Sequence, residues 1–234
     1  MIGTIANTIA ILAGSCIGGT IRRGLKKKYQ DILYTAMGLA AFGLGINAVV
    51  QNMPNSTYPV LFIASLAIGG VVGCGIDLEE RFNKLVESRA KDGSQLARGL
   101  STGIMLFCIG TLSILGPINS ALYGDETFLF TNATLDFVTS MVLASTFGYG
   151  MAFAAPVLFC WQGGIYLLAH FAAPFLTGPL MTEISIVGGV LILASGLSIL
   201  KIKEISTMNL LPSLLIPPLW IGLMALTGNL GSLL

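Results

Sequence analysis

Apolar stretches long enough to cross a lipid bilayer follow one another along almost the entire chain. A transmembrane helix needs about 20 consecutive apolar residues to span the hydrocarbon core. Eight stretches approach that length: residues 2–20, 32–51, 58–76, 96–115, 132–151, 156–173, 184–200 and 208–226. None alternates apolar and polar residues with period two, so they predict helices rather than barrel strands. The predicted fold is an all-α polytopic transmembrane bundle forming a single domain over residues 1–234.

The composition supports the same class. Only 10% of the 234 residues are charged and 54% are hydrophobic, with a mean hydropathy of +0.85. A soluble domain has about 25% charged residues, so the lipid bilayer must cover the apolar surface of this chain. The first stretch is interpreted as a transmembrane helix rather than a signal peptide, because no basic segment precedes it.

The basic residues predict how the bundle is oriented. All twelve Lys and Arg residues fall in three clusters. They are Arg22, Arg23, Lys26, Lys27 and Lys28, then Arg81, Lys84, Arg89, Lys91 and Arg98, and finally Lys201 and Lys203. With eight crossings, the three clusters lie on one face of the membrane. The positive-inside rule makes that face cytoplasmic and places both termini outside.

Two segments allow two interpretations each. The link 148–156 has no charged residue, so the fifth and sixth stretches are either full crossings joined by a tight turn or re-entrant half-helices. Broken helices of the second kind line cavities in transporters. Residues 77–95 form the long polar stretch between crossings. They predict either an amphipathic helix on the cytoplasmic surface or a solvated loop helix.

Small residues recur at four-residue spacing within the predicted helices. The pairs Gly14/Gly18, Gly69/Gly73 and Gly99/Gly103 are typical of helices whose backbones approach closely in lipid.

A faint internal repeat accompanies these small residues. Residues 43–46 and Pro59 match residues 196–199 and Pro212 at the same interval, and residues 16–19 resemble 161–164. These matches suggest that helices 1–3 and 6–8 form an inverted repeat, which is common in transporters. Such matches also arise by chance in a chain rich in Gly and Leu, so the repeat is a hypothesis.

Asp136 is the most informative polar residue. It lies about five residues inside a predicted span, where an ionised carboxylate costs about 2.5–3.5 kcal/mol. Asn132, Thr139 and Ser140 share its helical face, so this face is predicted to contact protein or a water-filled cavity. Asp136 is interpreted as a cation, proton or solute site. The alternative is a structural role close to the outer interface.

Other polar residues inside spans are candidates to complete that site. They are Asn7, Asn47, Thr111, Asn119, Gln162 and Glu183. Of these, Asn119, Thr111 and Gln162 are predicted to join Asp136, Thr139 and Ser140 in a substrate or ion site. The predicted outer face carries Asp125, Glu126 and Glu183 but no Lys or Arg. A vestibule of that sign favours cations or zwitterions.

Several classes of function find no support in the sequence. The four cysteines lie in apolar stretches without CxxC spacing, which indicates packing rather than disulfides. The single histidine, His170, has no nearby ligand partners, so no metal site is expected. The chain has no nucleophile–base pair or phosphate-binding loop. We therefore expect no enzyme activity, no cofactor and no nucleic-acid partner.

Particular motifs resemble one bacterial family over nearly the whole chain. The central one is Phe-Cys-Ile-Gly-Thr-Leu-Ser-Ile-Leu-Gly-Pro-Ile-Asn at 107–119. The others are 123–125, Leu135-Asp136, 144–148, 161–164, Gly188-Gly189, Gly196-Leu197 and 209–212. Together they resemble the membrane proteins called domain of unknown function 554, some of which are labelled transport proteins. The resemblance implies a multi-pass protein of the bacterial plasma (inner) membrane and supplies no established activity.

These observations favour a small-solute or cation transporter, a secondary permease with a polar intramembrane site around Asp136. Two alternatives remain open. One is an ion or solute channel, and the other is a structural or regulatory protein that binds a partner through residues 77–95. The expected partners are the lipid bilayer and a small polar solute or cation. Assembly into a homo-oligomer is left open.

Overall fold

The fold is known from a computed structural model that describes residues 1–21, 26–81, 84, 100, 103–104, 106–108, 111–173 and 178–231. Every regular element in these ranges is helical. The α-helices are α1 (Ile2–Thr20), α2 (Lys27–Asn52), α3 (Leu61–Ile76), α4 (Thr111–Tyr123), α5 (Thr127–Phe147), α6 (Ala154–Ala172), α7 (Gly178–Ile199), α8 (Thr207–Leu210) and α9 (Ile216–Gly231). Short 3₁₀ turns cover Met53–Asn55, Tyr149–Phe153 and Leu211–Leu215. The all-α prediction is confirmed for this part of the chain.

Six helical segments of the described chain are long and apolar enough to cross a membrane, and Leu61–Ile76 is a shorter apolar helix. The predicted stretch 96–115 lies partly outside the described residues, which here are 100, 103–104, 106–108 and 111–115. Its described end belongs to α4, which continues to Tyr123. Most of the predicted segment 77–95 is also outside the described residues.

Three predicted helix starts were too late. α2 begins at Lys27, α5 at Thr127 and α7 at Gly178. Hydropathy marks only the apolar centre of each helix, whereas backbone hydrogen bonding continues into the polar first turn. The consequence matters for α5, because Asp136 lies deeper in the helix than predicted.

Contacts between helix ends define two faces of the bundle. On the first, Glu126 bonds the N-terminal ammonium of Met1 at 3.1 Å, and Glu183 accepts hydrogen bonds from residues 56–58. We call this the acidic face, after Asp125, Glu126 and Glu183. On the opposite face, Glu79 accepts a hydrogen bond from Ser206, and its amide donates to Asn209. This basic face carries the described members of the three basic clusters: Lys26, Lys27, Lys28, Arg81, Lys84, Lys201 and Lys203.

The link between α5 and α6 is a tight turn in which Gly148 has φ +87°, a backbone conformation suited to glycine. α5 extends along the whole of α1. Glu126 lies beside Met1 at one end, and Tyr149 lies against Gly19 at the other. α5 therefore covers the same depth as α1, as a full crossing would.

Glycines allow two pairs of helices to approach closely. A Cβ atom at Gly14 or Gly18 of α1 would overlap backbone atoms of α5. A Cβ at Gly45 of α2 would lie 2.5 Å from the Leu193 nitrogen of α7, and one at Gly38 would meet Leu200. The pairing of Gly14/Gly18 with a neighbouring helix confirms the prediction made from their spacing. Gly69 and Gly73 likewise contact residues 209–213.

Glu183 fixes the connection between α2 and α3. Its side chain is 1% exposed, and its Oε1 accepts hydrogen bonds from the Ser56 hydroxyl at 2.7 Å and from the Thr57 and Tyr58 amides at 3.0 Å. An acceptor shared by two backbone amides is costly to remove, because those amides lose their partner.

We therefore expect Glu183→Ala to lower the stability of the protein by about 2 kcal/mol. Thermal unfolding of purified protein in nanodiscs would measure the loss. Glu183→Gln is the matched control, because its carbonyl oxygen can still accept these hydrogen bonds. Equal melting temperatures for the Ala and Gln variants would contradict the assigned role.

Candidate functional site

Asp136 lies near the midpoint of α5. The helix has 21 residues, and Asp136 is nine residues, or about 14 Å, from its start at 1.5 Å per residue. Its side chain is 5% exposed. The predicted depth of five residues was too shallow, and the alternative of a carboxylate near the outer interface does not fit this position.

Two amide groups contact the carboxylate. The Asn7 Nδ2 of α1 donates a hydrogen bond to Asp136 Oδ2 at 2.8 Å, and Asn132 Nδ2, one turn earlier on α5, donates to the same oxygen at 2.9 Å. Asn7 reaches Asp136 because the glycine-mediated contact brings α1 against α5. Both donors are neutral. The hydrogen bonds of Asp136 within the described chain therefore supply no counter-charge.

A small cavity of about 130 Å³ lies beside Asp136. It is lined by residues of four helices, α2, α4, α5 and α7, and by Leu106. Its lining comprises Tyr34, Leu106, Thr111, Leu112, Asn132, Leu135, Asp136, Thr139, Ser195 and Ile199. We call this space the inner cavity. It has room for a few water molecules, since each occupies about 30 Å³ in the liquid.

Oxygen atoms supply most of the polar lining of the inner cavity. The hydroxyls of Thr111 and Ser195 lie 2.9 Å apart, which joins α4 to α7. Tyr34 of α2 and Thr139 of α5 add two more hydroxyls. A carboxylate together with hydroxyl oxygens is a ligand set for a proton or a hard cation. The described residues contain no group of three or more His, Cys, Asp or Glu side chains placed to hold a metal ion.

A larger cavity of about 440 Å³ lies between the same four helices at the acidic face. Its lining includes Leu44, Asn47, Ala48, Gln51, Asn52, Leu115, Ile118, Asn119, Tyr123, Asp125, Thr127, Phe128, Ile184, Ser185, Gly188 and Gly189. Asn47, Gln51, Asp125 and Thr127 are exposed, so this space opens to that face. We call it the vestibule.

An apolar cluster separates the two cavities. Buried Leu112, Leu115 and Ile192 form its centre, with Leu44, Ile118, Phe128, Leu135 and Leu214 packed against them. Leu115 and Phe128 line the vestibule, whereas Leu112 and Leu135 line the inner cavity. We call this cluster the constriction. The constriction therefore contributes residues to the linings of both the vestibule and the inner cavity.

Glu126 stands beside the vestibule, outside the membrane-spanning segments. Burial raises the pKa of Glu126, but the hydrogen bonds from the Ser120 hydroxyl, the N-terminal ammonium and the Gly3 amide outweigh burial. The net pKa is therefore below the ordinary value for a glutamate. Glu126 is ionised at neutral pH and is held by its partners at the ends of α1 and α4.

The structure brings together three of the six predicted site residues. Asp136, Thr139 and Thr111 line the inner cavity. Asn119 lies in the vestibule, on the other side of the constriction. Ser140 faces α1, where its hydroxyl lies at Gly14 and donates to the Phe137 carbonyl.

Gln162 is fully buried between α6 and α4, and its Nε2 donates to Ser113 Oγ at 3.1 Å. It joins helices away from the described linings of both cavities.

Two lining residues, Tyr34 and Ser195, escaped the sequence reasoning. A tyrosine and a serine within apolar stretches are common in membrane helices, and a serine there often hydrogen-bonds the backbone of its own helix. Tyr34 lies three residues after Asp31 on α2, near the polar end of the span. The sequence gives a weaker signal for Ser195, because it lies between the small residues Ala194 and Gly196 and resembles a packing position.

Comparison with known proteins identifies the family of this chain. Residues 2–222 match the family described as "Protein of unknown function (DUF554)". The chain belongs to this family. It is similar to the "Uncharacterized membrane protein YdfK" of Bacillus subtilis (strain 168), with 62% identity over 93% of this chain and 94% of that protein.

A second relative is the "Uncharacterized protein YqgA" of Escherichia coli (strain K12). It is 30% identical over 92% of this chain and 94% of that protein. No solved structure matches the chain. The family membership confirms the resemblance seen in the sequence, and the first relative's name agrees with a membrane protein.

Proposed function

We propose that this protein is a secondary transporter in which a proton or metal cation bound at Asp136 drives the movement of a small solute. The observation that carries the proposal is a buried carboxylate near the midpoint of α5 that lines a cavity together with hydroxyl side chains. Its hydrogen-bond partners are neutral amides. Such a group costs about 2.5–3.5 kcal/mol in its charged form at a helix centre. Binding a proton or cation removes that cost, which makes Asp136 a reversible binding site.

The two cavities and the cluster between them support a route for solute. The vestibule is open at the acidic face, and the constriction closes the way to the inner cavity. Apolar constrictions are a recognised form of gate, because water does not fill them. A transporter that binds from one side at a time needs such a closed barrier between its outer opening and its inner site.

An inverted repeat supports the same class. Adding 153 to the residue numbers of α1, α2 and α3 gives 155–173, 180–205 and 214–229, which nearly coincide with α6, α7 and α9. In this register, ten of the 29 residues from 41 to 69 are identical to those from 194 to 222. The likeness between 16–19 and 161–164 belongs to a different register, with an offset of 145.

The two repeats also meet as an inverted pair should. α2 and α7 are antiparallel, since Gly45 packs against Gly189 and Gly38 against Leu200. The centre of their contact falls near Ala41 and Ala194, which are equivalent in the repeat register and are both buried. The inner cavity lies beside this contact. Inverted-repeat transporters bind their substrates at such repeat interfaces near the bilayer midplane.

The proposed topology has eight crossings in a bacterial plasma membrane. The basic face is cytoplasmic by the positive-inside rule, so the vestibule and both termini are extracytoplasmic. The α5–α6 turn is a full hairpin at the basic face in this arrangement. Both relatives come from bacteria, which supports the location.

The test is cation flux in proteoliposomes that contain the wild-type protein, Asp136→Asn, or the double variant Asn132→Asp/Asp136→Asn. Proton entry is followed with an internal pH-sensitive dye, and sodium entry with a radioactive tracer. We expect Asp136→Asn to abolish the flux that depends on protein, because an amide takes up neither cation. The double variant moves the carboxylate one helical turn within the same cavity and should restore part of the flux.

Unchanged cation flux in Asp136→Asn would remove Asp136 from the mechanism. The concentration dependence separates the two modes of conduction. Saturating flux supports a transporter, whereas flux that never saturates would indicate a channel.

A further inference from the structure

The vestibule walls combine a polar rim with an apolar floor. Amide side chains of Asn47, Gln51, Asn52 and Asn119 surround the opening. Leu44, Leu115, Ile118 and Phe128 close the bottom. Ligand pockets of about 300–1,000 Å³ typically hold small organic molecules in this way. At about 440 Å³, the vestibule is far larger than a bare inorganic ion requires.

The described lining of the vestibule carries negative charge only. Asp125 is the charged side chain among the described lining residues, which include no Lys, Arg or His. Its Oδ1 accepts a hydrogen bond from the Thr127 amide at 2.9 Å, and the side chain is exposed at the vestibule opening. The neighbouring Glu126 is already paired with the N-terminal ammonium. A single net negative charge therefore faces the cavity.

The side-chain amide of Asn119 is available for hydrogen bonding inside the vestibule. It is half-buried on α4, and within the described part of the chain no group forms a hydrogen bond with its amide. A half-buried side-chain amide can donate hydrogen bonds to a ligand and accept them from it. Tyr123 lies one turn later on α4 and contributes an aromatic ring to the same lining. These groups can bind N–H donors and the face of a cationic ligand.

We propose that the vestibule binds a small organic monocation of the ammonium or guanidinium type. Asp125 balances its charge, the amide oxygen of Asn119 accepts from its N–H groups, and Phe128 and Leu115 contact its apolar part. This inference rests on the proposed function for the identity of the solute, since the vestibule leads to the inner cavity. The described lining offers no basic side chain to balance an anion.

The test uses methylguanidinium and its neutral isostere methylurea as probes, with the full-length protein in nanodiscs. Binding is measured calorimetrically for the wild-type protein, Asp125→Asn and Asn119→Ala. We expect methylguanidinium to bind and methylurea to bind up to about fivefold more weakly, because an exposed ion pair contributes up to about that factor. Asp125→Asn should remove the difference between the probes. Asp31→Asn, an exposed carboxylate of α2 outside the vestibule lining, is the matched control.

A second measurement locates the bound probe. A cysteine is placed at Thr127 in a protein whose Cys16, Cys74, Cys108 and Cys160 are serine, and its labelling rate by a cationic methanethiosulfonate reagent is followed. Methylguanidinium should slow the labelling and methylurea should not. Equal binding of the two probes, or binding that survives Asp125→Asn unchanged, would overturn the proposal. Asp136→Asn should leave binding intact, so the vestibule site and the transport function can fail separately.

Discussion

Replacing Gly18 by alanine is expected to destabilise the protein by about 2–3 kcal/mol, because the new methyl group meets the backbone of α5. A Cβ at this position would overlap the Met141 carbonyl oxygen, with the carbonyl carbon 2.9 Å away. Backbone atoms cannot rotate aside as a flexible side chain can. The two helices must therefore separate, and the hydrogen bond from Asn7 to Asp136 weakens with them.

Gly43→Ala is the matched control. Gly43 lies within α2, and among the described residues no atom outside its own helix is within 4 Å of the position that its Cβ would occupy. Alanine is the better helix former by about 0.5–1 kcal/mol, so this variant should be as stable as the wild-type protein or more stable. Thermal unfolding in nanodiscs would compare the two. Replacing glycine by alanine is thus expected to lower the stability of the protein at position 18 and not at position 43. A Gly18→Ala protein as stable as the Gly43→Ala protein would refute the close α1–α5 contact.

Replacing Leu115 by serine is expected to make the protein leak. Leu115 is 5% exposed and lies at the centre of the constriction. A shorter, polar side chain there removes apolar contacts and admits water between the vestibule and the inner cavity. Proton entry into proteoliposomes without any solute gradient should rise by about tenfold, which corresponds to a barrier lower by about 1.4 kcal/mol.

Loss of packing alone must be distinguished from opening of the route. Leu158→Ser makes a comparable cavity, because Leu158 is fully buried in a separate apolar cluster with Ile11, Phe107 and Ala155. That cluster does not join the two cavities. Leak from both variants would show that instability is the cause, whereas leak from Leu115→Ser alone would identify the constriction as the barrier.

Much of the fold followed from properties that are local in sequence. Lipid requires every backbone polar group to be hydrogen-bonded within the chain, so long apolar stretches could only be helices. The clustering of basic residues predicted that they share one face of the bundle. The contacts of Glu126 and Glu183 at one face and of Glu79 at the other agree with this prediction for the described basic residues. The glycine pairs indicated close helix contacts because a missing side chain is itself the feature that permits them.

The composition of the inner cavity was only half predictable. Asp136, Thr139 and Asn132 share one helical face, so their association followed from helical periodicity. Thr111 was chosen among many polar residues, and it lines the inner cavity. Tyr34 and Ser195 come from α2 and α7, which meet α5 through packing between helices far apart in the sequence.

The sequence by itself determined that this chain is a helical membrane protein, that a carboxylate is buried inside it, and which helices can approach closely. These are properties of single helices in lipid, where solvation and backbone hydrogen bonding leave few choices. The tertiary structure alone decided that Asn119 and Asp136 occupy separate cavities, that Ser140 and Gln162 face other helices, and that an apolar cluster lies between. Those outcomes depend on the rotation and depth of each helix against its neighbours, which side-chain packing sets and a single sequence does not encode locally.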